Sequence, residues 1–491
     1  MENYIEIRKK LSKYISIFVM VLIILQPMLD VLSYWLTKAN NTSITTLLRI
    51  VMLGVIVLYS FIVTDNKKFY FMFYGIIALY WLGHMINGFR IGYANPFSDI
   101  ALFIRVVQMP VLTISFITFL KKNKNTKDSI YKGSALAFLI VIIVIILSYL
   151  TGTPDYMYYG VGVKGWFYSG NAQSIIVNVL VCLTLFYTYK SRNKVMFILA
   201  SFTGFGLLFA SGTRVTYFSI FIIAFGLLIM LIVNREKNWV YFTSLVIVIG
   251  MCGGFFRISP MLEEKEKMNE SFNQSQAQID QSIKDDPTNK MEYGEDKDIE
   301  GKPYTLNQYK KIYEPYMWMF KGAINEYGFE AFLEKYEYTT EASKLGDNRL
   351  YKRLIAEMEW EKKDFVTKLF GYENDTINLG GHIYMPENDL PCLLYFNGYI
   401  GAALYGLFIL YFAIIILIAF FKNFKNSFTV ETSLIGLAIL LTLGAAVLSG
   451  YVVQRPNVSI YLSMLLALIY SIAVLENGVN PTLGLKKNYK G

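Results

Sequence analysis

Residues 391–421 read PCLLYFNGYIGAALYGLFILYFAIIILIAFF, thirty-one positions without an acidic or basic side chain, ending at Lys422. At 1.5 Å per residue, a helix of that length exceeds the roughly 30 Å hydrocarbon core of a bilayer. Eleven more apolar runs occur, at 14–36, 44–64, 69–88, 99–120, 131–151, 172–189, 195–211, 214–233, 239–256, 430–449 and 456–475. The chain of 491 residues is 54% hydrophobic and only 17% charged, against about 25% charged in soluble domains. A soluble enzyme is excluded. So is a nucleic-acid binder, because the bases behind the net charge of +9 sit between apolar runs rather than on one exposed face. The expected fold is an all-α polytopic membrane protein of about 12 transmembrane helices. Its first run follows Arg8, Lys9, Lys10 and Lys13, as a signal peptide's would. That run is too long and lacks a small-residue cleavage site, so it reads as a retained anchor.

Charge is segregated along the chain. Residues 257–390 carry 27 acidic and 18 basic side chains, whereas the remaining 357 residues carry 10 acidic and 28 basic ones. Of those 28, 21 fall in five short loops and the two chain ends, and seven alternate with them: Lys38, Arg49, Arg90, Arg105, Lys164, Arg214 and Arg455. Short loops rich in lysine and arginine stay in the cytoplasm. Both termini are therefore expected inside, and the block 257–390 outside the cell. The expected divisions are 1–256 with spans 1–9, 257–390 as an extracellular, mainly helical loop domain, and 391–491 with spans 10–12 and a cytoplasmic tail. Within the block, 260–300 is rich in Glu, Lys, Gln, Ser and Asn, the composition of a solvated helix or a partly disordered stretch. Residues 303–370 differ. Tyr313, Tyr316, Met317, Phe320 and Ile324, then Leu350, Leu354, Met358, Phe365 and Leu369, recur at the spacing of amphipathic helices.

Three cysteines give no disulfide framework, although a bridge between Cys252 and Cys392 stays open. With two histidines, His84 and His382, no metal spacing arises, and neither metal nor cofactor is expected.

Five of the seven outer basic residues are arginine, against three of the 21 inner ones. The guanidinium fork grips phosphate bidentately and keeps its charge when partly desolvated. Arg49, Arg90, Arg105, Arg214 and Arg455 thus suit a lipid-linked pyrophosphate at the membrane surface. The plainer account is that each snorkels to headgroups or neutralises an acid. Arg105, six residues into its run, and Arg214 stand above the others. Arg214 closes Ser211-Gly212-Thr213-Arg214, a connection short enough to place it at a helix N-terminus, where free amides and dipole favour an anion. A second constellation is Gly380-Gly381-His382-Ile383-Tyr384-Met385-Pro386-Glu387-Asn388-Asp389, directly before the run first quoted. Asn388 or Asp389 could cap that helix, which leaves Glu387 without a structural reason. Gly398 and Gly401 lie a turn apart, as residues that let helices approach do. Trp166, Tyr168 and Tyr399 could stack on sugars, or simply belong to an interfacial belt.

In these features the sequence resembles the bacterial O-antigen ligase and polysaccharide polymerase family: about a dozen spans and one large external loop before the last few. The ligase branch has His, then Asn, Ser or Gln, nine residues, and Gly-x-x-Gly. Here Glu387-Asn388, residues 389–397 and Gly398-Tyr399-Ile400-Gly401 keep that spacing, with glutamate at the histidine position. An acid there looks more like the capsule or O-unit polymerase branch. Arg214 matches the family's external arginine after a small-residue turn, and Leu369-Phe370-Gly371-Tyr372 looks like the glycine-containing segment before the motif. The resemblance implies glycosyl transfer at the outer face of the bacterial cytoplasmic membrane. A polyprenyl-pyrophosphate-linked oligosaccharide would be the donor and a sugar hydroxyl the acceptor, with inversion at the anomeric carbon. A chain-length regulator and a flippase would be the partners. In that chemistry Glu387 is the base that takes the acceptor proton, with His382 competing. Arg214, with Arg105, Arg90, Arg49 and Arg455, steadies the pyrophosphate, and Asn388 and Asp389 orient the acceptor. Two alternatives stay open: a ligase moving a finished glycan to another acceptor, and a lipid-linked sugar flippase. The flippase would need charge deeper in the bilayer, for which Asp30 and His84 are the candidates.

Overall fold

The computed structural model describes residues 2–39, 43–285, 297–422, 424–450 and 452–479. Residues 286–296 of the polar stretch, and the basic tail, lie outside the described residues. The chain opens with α1 (Glu2–Lys38), α2 (Ser43–Val63), α3 (Lys67–Ile91), α4 (Pro96–Lys122) and α5 (Thr126–Leu150). A hairpin of β1 (Tyr156–Tyr158) and β2 (Val161–Val163) precedes α6 (Gly170–Lys190), α7 (Lys194–Ser211), α8 (Arg214–Val233) and α9 (Trp239–Gly254). The polar part holds α10 (Pro260–Asp285), α11 (Leu306–Tyr313), α12 (Met317–Tyr327), α13 (Phe329–Lys335), α14 (Ala342–Leu345), α15 (Asn348–Lys362) and α16 (Phe365–Phe370). A second hairpin, β3 (Asn378–Leu379) and β4 (His382–Ile383), leads into α17 (Asp389–Lys422), α18 (Phe424–Ser427), α19 (Val430–Leu448) and α20 (Pro456–Tyr470).

Among the described residues, 11 helices are long and apolar enough to cross a membrane, and α9 is a shorter apolar helix. Its 16 residues span about 24 Å. By contact the chain divides into two compact units. One comprises Met1–Gly75, Ile104–Glu264 and Leu404–Gly491; the other comprises Ile76–Phe103 and Lys265–Ala403.

In the first unit α6 is the axis. Every residue from Ala172 to Phe186 is buried, as an all-round apolar helix requires. Helices α5, α7, α8, α19 and α20 pack around it, and α1 lies along α5. Lipid gives little hydrophobic drive for helices to associate, so close approach and hydrogen bonds hold them. Gln108 of α4 donates to Ser459 Oγ of α20 at 2.9 Å, and Ser463 Oγ donates back to the Met109 carbonyl at 2.9 Å. The β1–β2 hairpin turns through Tyr159 and Gly160, both at positive φ, the pairing that a two-residue hairpin loop demands.

The second unit has its own core, around Tyr313, Phe320, Phe332, Tyr351, Ile355 and Tyr384. Tyr313 and Phe320 are the apolar positions that helical spacing predicts. Phe365 is not one of them, being 70% exposed. The phase set by Leu350, Leu354 and Met358 stops with α15, and Asp364 then caps a new helix by accepting from Thr367 N. No disulfide joins Cys252 and Cys392; the Cys392 thiol donates to the Pro386 carbonyl at 3.0 Å instead.

Two glycines decide how this unit closes. Gly398 interrupts α17 with φ 63° and ψ −177°, and Gly371 sits at φ 85°. A Cβ at Gly371 would overlap Phe396 O and Asn397 N, and one at Gly398 would overlap Leu369 O and Gly371 N. The backbones of 369–371 and 396–398 therefore touch, which only glycine permits. Gly371→Ala or Gly398→Ala should each cost about 2–4 kcal/mol. Thermal unfolding in detergent reads this out, with Gly406→Ala, where a Cβ meets nothing within 4 Å, as the control expected to keep the wild-type midpoint.

Candidate functional site

One face of α3 in the second unit carries Tyr80, His84, Asn87 and Arg90, positions that align at helical spacing. Each reaches the segment 364–371 or the backbone beside Gly398. Tyr80 Oη donates to the Asn397 carbonyl at 2.8 Å, and Asn87 Nδ2 donates to the Gly371 carbonyl at 2.9 Å. His84 Nδ1 lies 2.7 Å from the Phe370 carbonyl and Nε2 lies 2.8 Å from Asp99 Oδ2. Both ring nitrogens thus face acceptors. Arg90 forks onto Asp364 at 2.5 and 2.8 Å and also reaches Thr367 Oγ1 at 2.9 Å. That guanidinium holds the Asp364 carboxyl well below the usual carboxylate range. Glu373 completes the clasp by accepting from the backbone amides of Ala94 and Asn95.

This clasp fixes the chain that leads into the second constellation. Gly380 and Gly381, at φ 61° and 80°, form the two-residue turn of the β3–β4 hairpin and present His382. Its Nε2 lies 3.4 Å from Tyr351 Oη on α15. Glu387, at the turn into α17, meets the same helix: Oε2 is 3.3 Å from Arg349 Nε and Oε1 is 3.2 Å from Lys352 Nζ. Burial, with Tyr384 and Glu387 adding to it, pushes the Tyr351 hydroxyl up to about 12. Asp389 is buried at the first residue of α17, where the helix dipole favours an acid. His382 and Glu387 therefore share one neighbourhood with Tyr351, Arg349 and Lys352. The last three escaped the sequence reading, since Arg349 and Lys352 look like ordinary charges on an amphipathic helix. Their i, i+3 spacing on one face was the available signal.

The arginines of the first unit fall into two kinds. Arg49 is paired with Asp30 at 2.6 Å, and Asn457 Nδ2 donates to both oxygens of that carboxylate at 3.1 Å. Arg214 begins α8 after Gly212, at φ 74°, and the cap Thr213. It is exposed and has no acid partner among the described residues. Arg105 is likewise exposed and unpaired among them. It lies in the electrostatic range of Arg455 and Tyr168, and the Arg455 guanidinium sits 5.7 Å from the Tyr168 ring centre. Two positive groups held near one another suit an anion.

Residues 12–476 match the family model described as O-antigen ligase like membrane protein. No curated protein matches the chain.

His84 and Asp99 are both buried in the clasp, so breaking the pair strands the survivor. His84→Ala should cost about 3–5 kcal/mol, and Asp99→Asn less. The double variant should unfold at a higher temperature than the sum of the single losses predicts. Simple additivity of the midpoints would mean that the two side chains are not coupled.

Proposed function

The chain belongs to the O-antigen ligase like membrane proteins, and from that membership we propose that it polymerises lipid-linked oligosaccharide repeats into a surface polysaccharide. Membership makes it a membrane protein of glycan processing whose substrates are lipid-linked glycans. In our reading the donor is a polyprenyl-pyrophosphate-linked repeat, the acceptor is a sugar hydroxyl of another repeat, and transfer inverts the anomeric carbon. The reaction runs at the outer face of the bacterial cytoplasmic membrane, with 257–390 outside and the termini inside. A flippase delivers the donor, and a chain-length regulator sets the product size.

The observation that carries this reading is Glu387, an acid at the mouth of α17 that meets two cations of α15 through long contacts. It shares the neighbourhood of Tyr351 with His382 and lies against two cations. A positioned carboxylate there can take the acceptor proton as the hydroxyl attacks, with His382 as the second candidate. The pyrophosphate leaves without needing a proton, so its charge calls for fixed cations. Arg214, Arg105 and Arg455 remain our candidates for that role. Arg49 and Arg90 already hold Asp30 and Asp364, and we assign them to holding the fold. Asn388 and Asp389 stay candidates for orienting the acceptor. Transport is less favoured, because Asp30 and His84, the charges it would use within the spans, are each engaged by a partner.

A deletion strain complemented with wild type, Glu387→Gln or Arg214→Ala tests this. Both variants should express, lose long surface glycan by at least about a hundredfold, and accumulate single lipid-linked repeats outside. Long chains left on the lipid carrier would mean a ligase, and repeats trapped inside a flippase. Normal chain lengths in both variants would overturn the site assignment.

A further inference from the structure

Arg349 and Lys352 project from one face of α15 onto Glu387, each taking a different carboxylate oxygen, at 3.3 and 3.2 Å. The contacts are long for charge-assisted bonds, which run near 2.7–2.9 Å. The guanidinium engages Glu387 only through Nε. Neither of its two Nη groups has a partner among the described residues, so the fork that grips phosphate is unspent. Lys352 likewise uses one of three donors. Arg353, next on the helix, is exposed and has no acid partner among the described residues. Asp347 already accepts from the amides of Arg349 and Leu350, at 2.8 and 3.3 Å. An arriving anion therefore meets the side chains rather than the helix amides. More donors converge here than a single carboxylate can use.

We propose that Arg349 and Lys352 bind the pyrophosphate of the lipid-linked donor, and that Glu387 holds them in place until it arrives. This rests on the polymerase reading above. On arrival the cations turn from the carboxylate to the phosphates, and Glu387 is released to act as the base. The acceptor oxygen then forms its bond to the anomeric carbon while its proton passes to Glu387. The bond from that carbon to the pyrophosphate breaks, and its electron pair leaves on the pyrophosphate, between the two cations. With no donor bound, the carboxylate is occupied, which keeps it from activating water.

The phosphate could belong to the donor carrier or to a bilayer phospholipid, and the experiment separates them. Full-length protein in phosphatidylcholine nanodiscs is titrated with undecaprenyl pyrophosphate, undecaprenyl phosphate or phosphatidylglycerol, after thermal unfolding confirms each variant is folded. Arg349→Gln and Lys352→Met should each weaken undecaprenyl pyrophosphate binding by roughly tenfold or more, and change phosphatidylglycerol binding little. Lys344→Met, on the same unit and paired with Glu341, should bind as wild type. Glu387→Gln should bind the pyrophosphate more tightly than wild type, because it frees both cations. Unchanged binding in both cation variants, equal loss for phosphatidylglycerol, or weaker binding by Glu387→Gln would overturn the proposal. The two readings fail separately. Should Glu387→Gln abolish long glycan while the cation variants bind normally, this inference falls and the polymerase reading stands. Should Glu387→Gln make normal glycan, the polymerase site falls whatever the binding shows.

Discussion

The carbonyls of Phe370 and Gly371 lie where α16 has just ended, so no helical partner is available to them, and buried carbonyls must find donors. His84 and Asn87 supply those donors from a neighbouring helix, with Tyr80 and Arg90 closing the row above and below. Much of the second unit follows from this. With 364–371 pinned, its backbone can press on 396–398 only because both contact points are glycine. That contact breaks α17 at Gly398, and the short helical segment before the break is the one that starts at Asp389, two residues after Glu387. The glycine motif thus acts on the candidate base through backbone geometry, without touching chemistry itself.

The membrane architecture was legible in the sequence because apolarity is summed over twenty residues at a time, and errors at single positions average out. Helices of six to eight residues and strands of two or three offer no such average, which is why neither hairpin was foreseen. Phe365 shows the same limit from another side. Its spacing continued the apolar series of α15, but the local preference of Asp364 for capping ended one helix and restarted another. Glu387, His382 and Arg214 could be singled out because each stood where ordinary packing or capping gave no reason for it. Arg349 and Lys352 offered only their i, i+3 spacing, since their meaning depends on a carboxylate 35 to 38 positions away.

Arginine is where sequence reading and structure part most instructively. The same planar fork that suits a phosphate also suits a carboxylate, so residue type alone cannot say which one is met. Arg90 meets Asp364 across 274 positions, and Arg49 meets Asp30 across 19. Arg105 and Arg214 meet no acid among the described residues. The difference lies in the partner, which only the fold supplies. An arginine without an acid is the one with charge left to offer.

On the proposed reading, a glutamate base where the resembled ligase motif has histidine would change the charge arithmetic of the transfer. A histidine base begins neutral and ends positive, so it adds to the positive charge near the leaving group directly. A glutamate base begins negative and ends neutral, and by itself offers the pyrophosphate only relief from repulsion. Cations must then be supplied separately, and they must not remain bound to the base. Arg349 and Lys352 satisfy both conditions, since each reaches Glu387 through a long bond and keeps further donors in reserve. In the proposed sequence the two cations have already turned to the phosphates when the proton reaches Glu387, so they stand by the pyrophosphate as it gains a charge. On the proposed reading, a carboxylate base and a pair of nearby cations would act as one device.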